Sequence, residues 1–437
     1  MPLAHGVGSD AGLPLPLDLV LQAGAATVVL SFLIAALWWR TPRLRPSEPR
    51  EHGRLGRWLR YPVLALALYI TGLALAGPRG AGNPAAHALF VWLWVGLIPI
   101  SIVLGPVWRA VNPLRTIFTL LGLPRHGLRP LPPRRTGPSW PAAVFLLVFV
   151  WFELVVPHHG DPVPVGLFLL GYGLSQILFA ILRGEEWFAR GDCFEVYSEL
   201  AGRLSPLRHR QPLSGLVERP APAPAGLSPA PAGPSPVPVG PSSVPVGPSP
   251  VSAGASPVSA GPALASAGLA GFVAVWWGST VFDSASASPV WTGFVDRAGA
   301  PVFWGTCGLV LLCALVFLAV RWTAGRLDVT LSLIPIAAGY TLAHYLSLLI
   351  VEAPRGFLLL LGLSIERWDP SPSPVVIAGA QIALILIGHV LGVIVAHDRA
   401  LADAGPKPAT AVLADEFPLV LFMIGCTWAG LFLLFVR

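Results

Sequence analysis

The chain has 437 residues, of which 54% are hydrophobic and 11% charged, and it carries a formal net charge of +6. Its mean hydropathy of +0.69 is too high for one soluble core to hide the apolar surface, which excludes an ordinary soluble domain and points to an all-α, polytopic membrane protein. The positive charge is almost wholly arginine, spread through loops between apolar stretches rather than gathered in one patch, so no nucleic-acid partner is expected.

The opening residues 1–16, MPLAHGVGSDAGLPLP, lack a basic stretch ahead of an apolar core and read as an extracytoplasmic arm that bears His5. Leu17 to Trp39 is the first apolar span, followed by seven arginines between residues 40 and 60. By the positive-inside rule that loop is cytoplasmic and the N-terminus lies outside. Tyr61 to Ala76 returns outward and Ala85 to Trp108 comes back in, ending in a loop with six arginines between residues 109 and 135. Trp140 to Pro157 and Val163 to Leu182 complete a first half, residues 17–183, with the turn PHHGDP outside.

Residues 184–219, which open with GEEWFARGDCFEVYSELAGRLSPL, mix charged and aromatic residues at roughly helical spacing, as expected of a helix lying on the inner surface with Asp192 and Glu195 solvated. Residues 220–262 are Pro, Ala, Ser, Val and Gly, with glycines recurring every seven residues and no apolar repeat on that period, which predicts a disordered cytoplasmic tether. The second half, residues 263–437, holds Ala263 to Phe282, Pro301 to Val320, Leu327 to Glu352, Pro374 to Ala396 and Phe417 to Val436. Arg355 to Ile365 is too short to cross and is expected on the outer surface. The sum is ten spans in the plasma membrane with both termini extracytoplasmic. Cys193, Cys307, Cys313 and Cys426 show no CxxC spacing and are expected to form neither a disulfide nor a metal site.

Ionisable side chains inside apolar spans are costly and mark function or a buried partner. Counted from the middle of each span at ~1.5 Å per residue, Glu153 and His344 lie about 7 Å and Gln381 about 6 Å above the midplane. Glu153 and His344 are therefore expected to meet, with Asp283, at an outer helix end, and the His5 arm covering them. His389 falls about 6 Å below the midplane on the same ruler, which assigns it with His397 and Asp398 to a separate inner cluster. The plainer alternatives are a neutral His344 bonded to a neighbouring helix and snorkelling of the inner pair at a helix end. No HExxH, GxSxG, Walker or Rossmann signature competes.

The opening AHGVGSDAGLPLP, the span VWLWVGLIPISIVLGPVWRAVNPLRT, the element GDCFEVYS, the helix end GSTVFD, the span AHYLSLLIVE and the helix GHVLGVIVAHDRA together resemble the bacterial membrane proteins of the fenitrothion hydrolase family. The resemblance covers nearly all spans and leaves out the tether, and it implies hydrolysis of an organophosphate triester. A neutral aromatic phosphotriester partitions into lipid, and its nitrophenolate departs without much acid help. An activated hydroxide and charge stabilisation are the main needs, and a divalent metal such as zinc, held by His and carboxylate, supplies both. Glu153, His344 and Asp283 are of the right types for catalysis, and His344, Glu153, His5, His389, His397 and Asp398 are the ligand candidates. A transporter, which also needs polar groups at mid-membrane, and a membrane assembly or metal-delivery factor are the other classes the sequence leaves open.

Overall fold

The computed structural model describes residues 16–45, 55–129, 140–208, 211–217, 261–323, 330–363, 370, 372–404 and 409–435. All regular structure among these is helical. In the first half α1 (Leu17–Trp38) and α2 (Leu55–Ala76) precede a π-helix (His87–Val95) and α3 (Leu97–Leu104). Pro99 in α3 brings no N–H to the helix ladder. In the turn ahead of it the hydrogen bonds widen to five residues, Gly96 N–H reaching Val91 O at 2.8 Å. The short helices α4 (Val107–Val111) and α5 (Pro113–Leu120) come next, then α6 (Trp140–Leu154) and α7 (Pro162–Arg183), which starts on Pro162 and stops at Gly184 with φ of 84°.

After the short α8 (Phe188–Gly191), Asp192 caps α9 (Cys193–Gly202) by accepting from Phe194 N–H. The second half contains α10 (Gly261–Ser286), α11 (Pro289–Ala298), α12 (Pro301–Thr323), α13 (Leu333–His344), α14 (Leu346–Leu360), α15 (Pro374–Ala404) and α16 (Ala409–Phe435). Six helices among the described residues are long and apolar enough to cross a bilayer, seven if α13 and α14 count as one bent span, and α6 and the described part of α16 are shorter apolar helices. This is consistent with a multi-pass membrane protein. The tether lies outside the described residues.

Two features depart from the sequence expectations. First, α9 does not lie on a surface: Cys193 to Ser198 and Leu200 to Gly202 are all buried. Its acidic residue Glu195 and its cap Asp192 find partners inside the protein. Arg115 clasps Glu195 through Nε and Nη2, both at 2.7 Å, and Asp192 accepts from Asn112 Nδ2 and Tyr172 OH, also at 2.7 Å. Asp192 and Glu195 are therefore buried and bonded rather than solvated.

Second, Leu327 to Glu352 is not one straight span. α13 and α14 meet at 64° on Tyr345, and α14 then runs on through Pro354 and Arg355. The two sequence halves interlock. α1 packs on α15 and α16, and a Cβ on Gly24 would stand 2.7 Å from a methyl of Leu431. At the centre, Trp94 of the π-helix stacks on Tyr197 of α9 at 4.8 Å, Tyr197 meets Trp276 of α10 at 4.6 Å, and Trp276 Nε1 donates to Thr341 of α13 at 3.0 Å. This aromatic column supports the polar groups gathered at the end of α10.

Candidate functional site

The site forms where α10 ends beside the break between α13 and α14. His344, the last residue of α13, is wholly buried, and its Nε2 lies 2.7 Å from Asp283 Oδ2. Tyr345, the residue at the break, donates its hydroxyl to the same oxygen at 2.8 Å. No glycine or proline stands at this break; side chains on both sides of it converge on one carboxylate. The other ring nitrogen, Nδ1, lies 3.1 Å from Ser284 Oγ, and that hydroxyl lies 3.0 Å from Tyr340 OH. With Asp283 ionised, His344 carries its proton on Nε2 and accepts at Nδ1 from Ser284, which in turn accepts from Tyr340. The buried imidazole thus has a hydrogen-bond partner at both nitrogens.

Asp283 shares the wall of a cavity of about 590 Å³ with Glu153 of α6. Both are buried, and Glu153 Oε2 meets no hydrogen-bond partner. A buried carboxylate oxygen without a donor costs stability, and together with its place in the cavity wall this makes Glu153 a candidate functional group. His87, His158, His159, Asp161, Glu352 and Arg355 line the same cavity. Asn83 shapes this rim by donating to Leu73 O and Pro78 O at 2.8 and 3.0 Å while accepting from Ala85 N–H. The cavity opens at the end of the bundle where α2 runs into the π-helix and α6 into α7, opposite the arginine-rich loops.

Of the residues singled out in the sequence, Glu153, Asp283 and His344 do come together, but His344 pairs with Asp283 rather than with Glu153. Depth alone cannot tell which of two carboxylates a histidine faces. Gln381 does approach this level, donating to Ala343 O at 2.8 Å. The inner group separates: His389 does not join His397 and Asp398, and its buried Nε2 meets no hydrogen-bond partner. His389 turns Nδ1 back onto Ile385 O of its own helix at 2.8 Å. His397 Nε2 bonds Trp39 O at 3.0 Å, and Asp398 accepts from Trp39 Nε1 at 2.9 Å and from the backbone N–H groups of Arg43 and Leu44. Together these tie α15 to the chain leaving α1. His5 lies outside the described residues. Among the described residues no three His, Cys, Asp or Glu side chains converge to hold a metal ion, and all four cysteines are free thiols.

Sequence reasoning missed His87, Glu352, Arg355, Ser284 and Tyr345. His87 and Glu352 carried the same signal as His344, an ionisable side chain against an apolar run, but each stands at a span boundary where a charge looks ordinary. His158 and His159 read as a plain exposed turn, and both line the cavity. Comparison with protein-family models, with curated proteins and with solved structures finds no match to this chain.

Proposed function

We propose that this chain is a multi-pass membrane hydrolase of neutral organophosphate triesters, with the reaction at the inner wall of the cavity. The observation that carries the reading is the unpartnered Glu153 oxygen beside Asp283, at the floor of a cavity large enough for a small aromatic phosphotriester. The resemblance to fenitrothion hydrolases names the substrate class. Glu153 takes a proton from a cavity water as the water oxygen bonds to phosphorus. The bond from phosphorus to the aryl oxygen breaks, and a phenolate and a dialkyl phosphate or thiophosphate leave. Asp283, held by His344 and Tyr345, orients that water, and Arg355 offers a cation to the anionic products.

The expected zinc ion fits this donor set poorly. His344 turns both ring nitrogens to protein partners, Asp283 and Ser284, so it offers no lone pair to the cavity. The general-base route uses the carboxylates alone. The finer topology belongs to the same proposal: ten spans in the plasma membrane, both termini and the cavity outside, arginine loops and tether inside.

The 64° break beside a buried Asp–His pair favours a second reading, a carrier, because transporters build substrate sites at broken helices. Two reconstitutions of one purified protein separate the two. Purified protein in lipid nanodiscs that hydrolyses paraoxon supports the hydrolase. Proteoliposomes that accumulate solute under a proton gradient, with no hydrolysis, would replace it with the carrier.

A further inference from the structure

Helix α14 has two unlike faces. Ile350, Phe357 and Leu361 fall on one side at helical spacing and are exposed. Leu348, Glu352, Arg355 and Gly356 fall on the other, where Glu352 and Arg355 line the cavity and Leu348 and Gly356 are buried. The helix therefore separates the cavity from the apolar outer surface, and its polar attachments on the cavity side are made to the π-helix. Glu352 Oε2 meets His87 Nε2 at 2.9 Å, Trp92 Nε1 donates to Ala353 O at 3.0 Å, and Gly356 presses on the His87 side chain so closely that a Cβ would stand 2.5 Å from His87 Cβ. Both clamping side chains come from the π-helix, a form that costs hydrogen-bond geometry and recurs at functional positions. The pivot end is fixed separately, by Tyr345 on Asp283.

From this arrangement we infer that α14 is a lateral gate through which an apolar, uncharged ligand dissolved in the bilayer enters the cavity, with His87 and Glu352 as its latch. Arg355, 3.4 Å from Glu352 Oε1, holds the glutamate in the orientation that meets His87. A ligand entering this way never crosses the charged rim of His158, His159 and Asp161 and arrives desolvated beside Glu153. The inference rests on the hydrolase reading for the ligand class, but its test does not require turnover.

The test places a cysteine at Leu154, which lines the cavity, in a Cys307→Ser, Cys426→Ser background in nanodiscs. Its labelling is timed with two maleimides, one charged and water-soluble, one alkylated and confined to lipid. Glu352→Ala should speed the lipid-confined reagent roughly tenfold, the scale of one charge-assisted hydrogen bond, and change the water-soluble one by less than about twofold. Should Glu352→Ala not fold, Trp92→Phe removes only the indole N–H from Ala353 O and should act in the same direction. Equal acceleration of both reagents, or of neither, overturns the gate. Labelling as expected in a protein that hydrolyses no triester keeps the gate and removes the hydrolase reading.

Discussion

At the scale of single residues, the pairing of His344 decides what a mutation does. Removing the imidazole leaves the Asp283 and Ser284 bonds unmade in a buried place, at a cost of roughly 1 to 3 kcal/mol. A double-mutant cycle between His344→Ala and Asp283→Ala, read by thermal or denaturant unfolding in detergent, should give a coupling of about 1 kcal/mol or more. The cycle between His344→Ala and Glu153→Ala should give much less, because no bond joins that pair. A larger coupling to Glu153 would mean that the histidine faces the other carboxylate. The contrast also shows how far residues can be read from sequence. Glu153, Asp283 and His344 were legible because each is ionisable inside an apolar helix, which fixes that it needs surroundings of a special kind. Which one bonds which depends on helix rotation, and no pattern in the chain encodes it.

At the scale of elements, close packing and buried polar anchors set what each helix tolerates. α13 and α15 approach backbone to backbone: a Cβ on Gly339 would stand 2.6 Å from Leu384 O, and one on Gly388 2.6 Å from Pro335 O. Gly388→Ala should therefore force the helices apart and cost about 1 to 3 kcal/mol. Gly379→Ala on the same α15, where a Cβ meets nothing within 4 Å, should be neutral or stabilising by up to ~1 kcal/mol. Thermal unfolding of the two variants side by side checks the contrast.

α9 depends on Arg115 in the same way. Arg115→Met would leave Glu195 buried without a counter-charge, with only Asn112 Nδ2 donating to it at 3.2 Å, at roughly 3 to 5 kcal/mol, and adding Glu195→Leu should recover much of the loss, since an apolar pair replaces an ion pair at little cost. No recovery in the double variant would mean that the bond from Arg115 Nη1 to Glu185 Oε1, 3.0 Å long, carries the anchor instead. The helices themselves were largely legible, because an apolar run of some twenty residues has few other outcomes. The burial of α9 was not, because a helix with acids on one face looks amphipathic whether water or an arginine meets them. The break at Tyr345 also left no glycine or proline to announce it.

For the whole molecule, the arginine-rich loops at one end and the cavity at the other predict a single orientation. Ala81→Cys, beside the cavity, should react with a membrane-impermeant thiol reagent on intact cells, and Leu121→Cys, exposed at the arginine end, should react only after lysis. The reverse pattern would turn the cavity to the cytoplasm and overturn the proposed orientation.

If Glu153 is kept for chemistry at the expense of stability, one comparison tests it most directly. Paraoxon hydrolysis and the melting temperature are measured on the same nanodisc preparations of wild type and Glu153→Gln. Loss of a general base lowers turnover by about 10²- to 10⁴-fold. Replacing an unpartnered buried carboxylate by a neutral amide leaves the melting temperature unchanged or raises it. A Glu153→Gln protein that hydrolyses as fast as wild type, or that loses activity only together with its fold, would contradict the account.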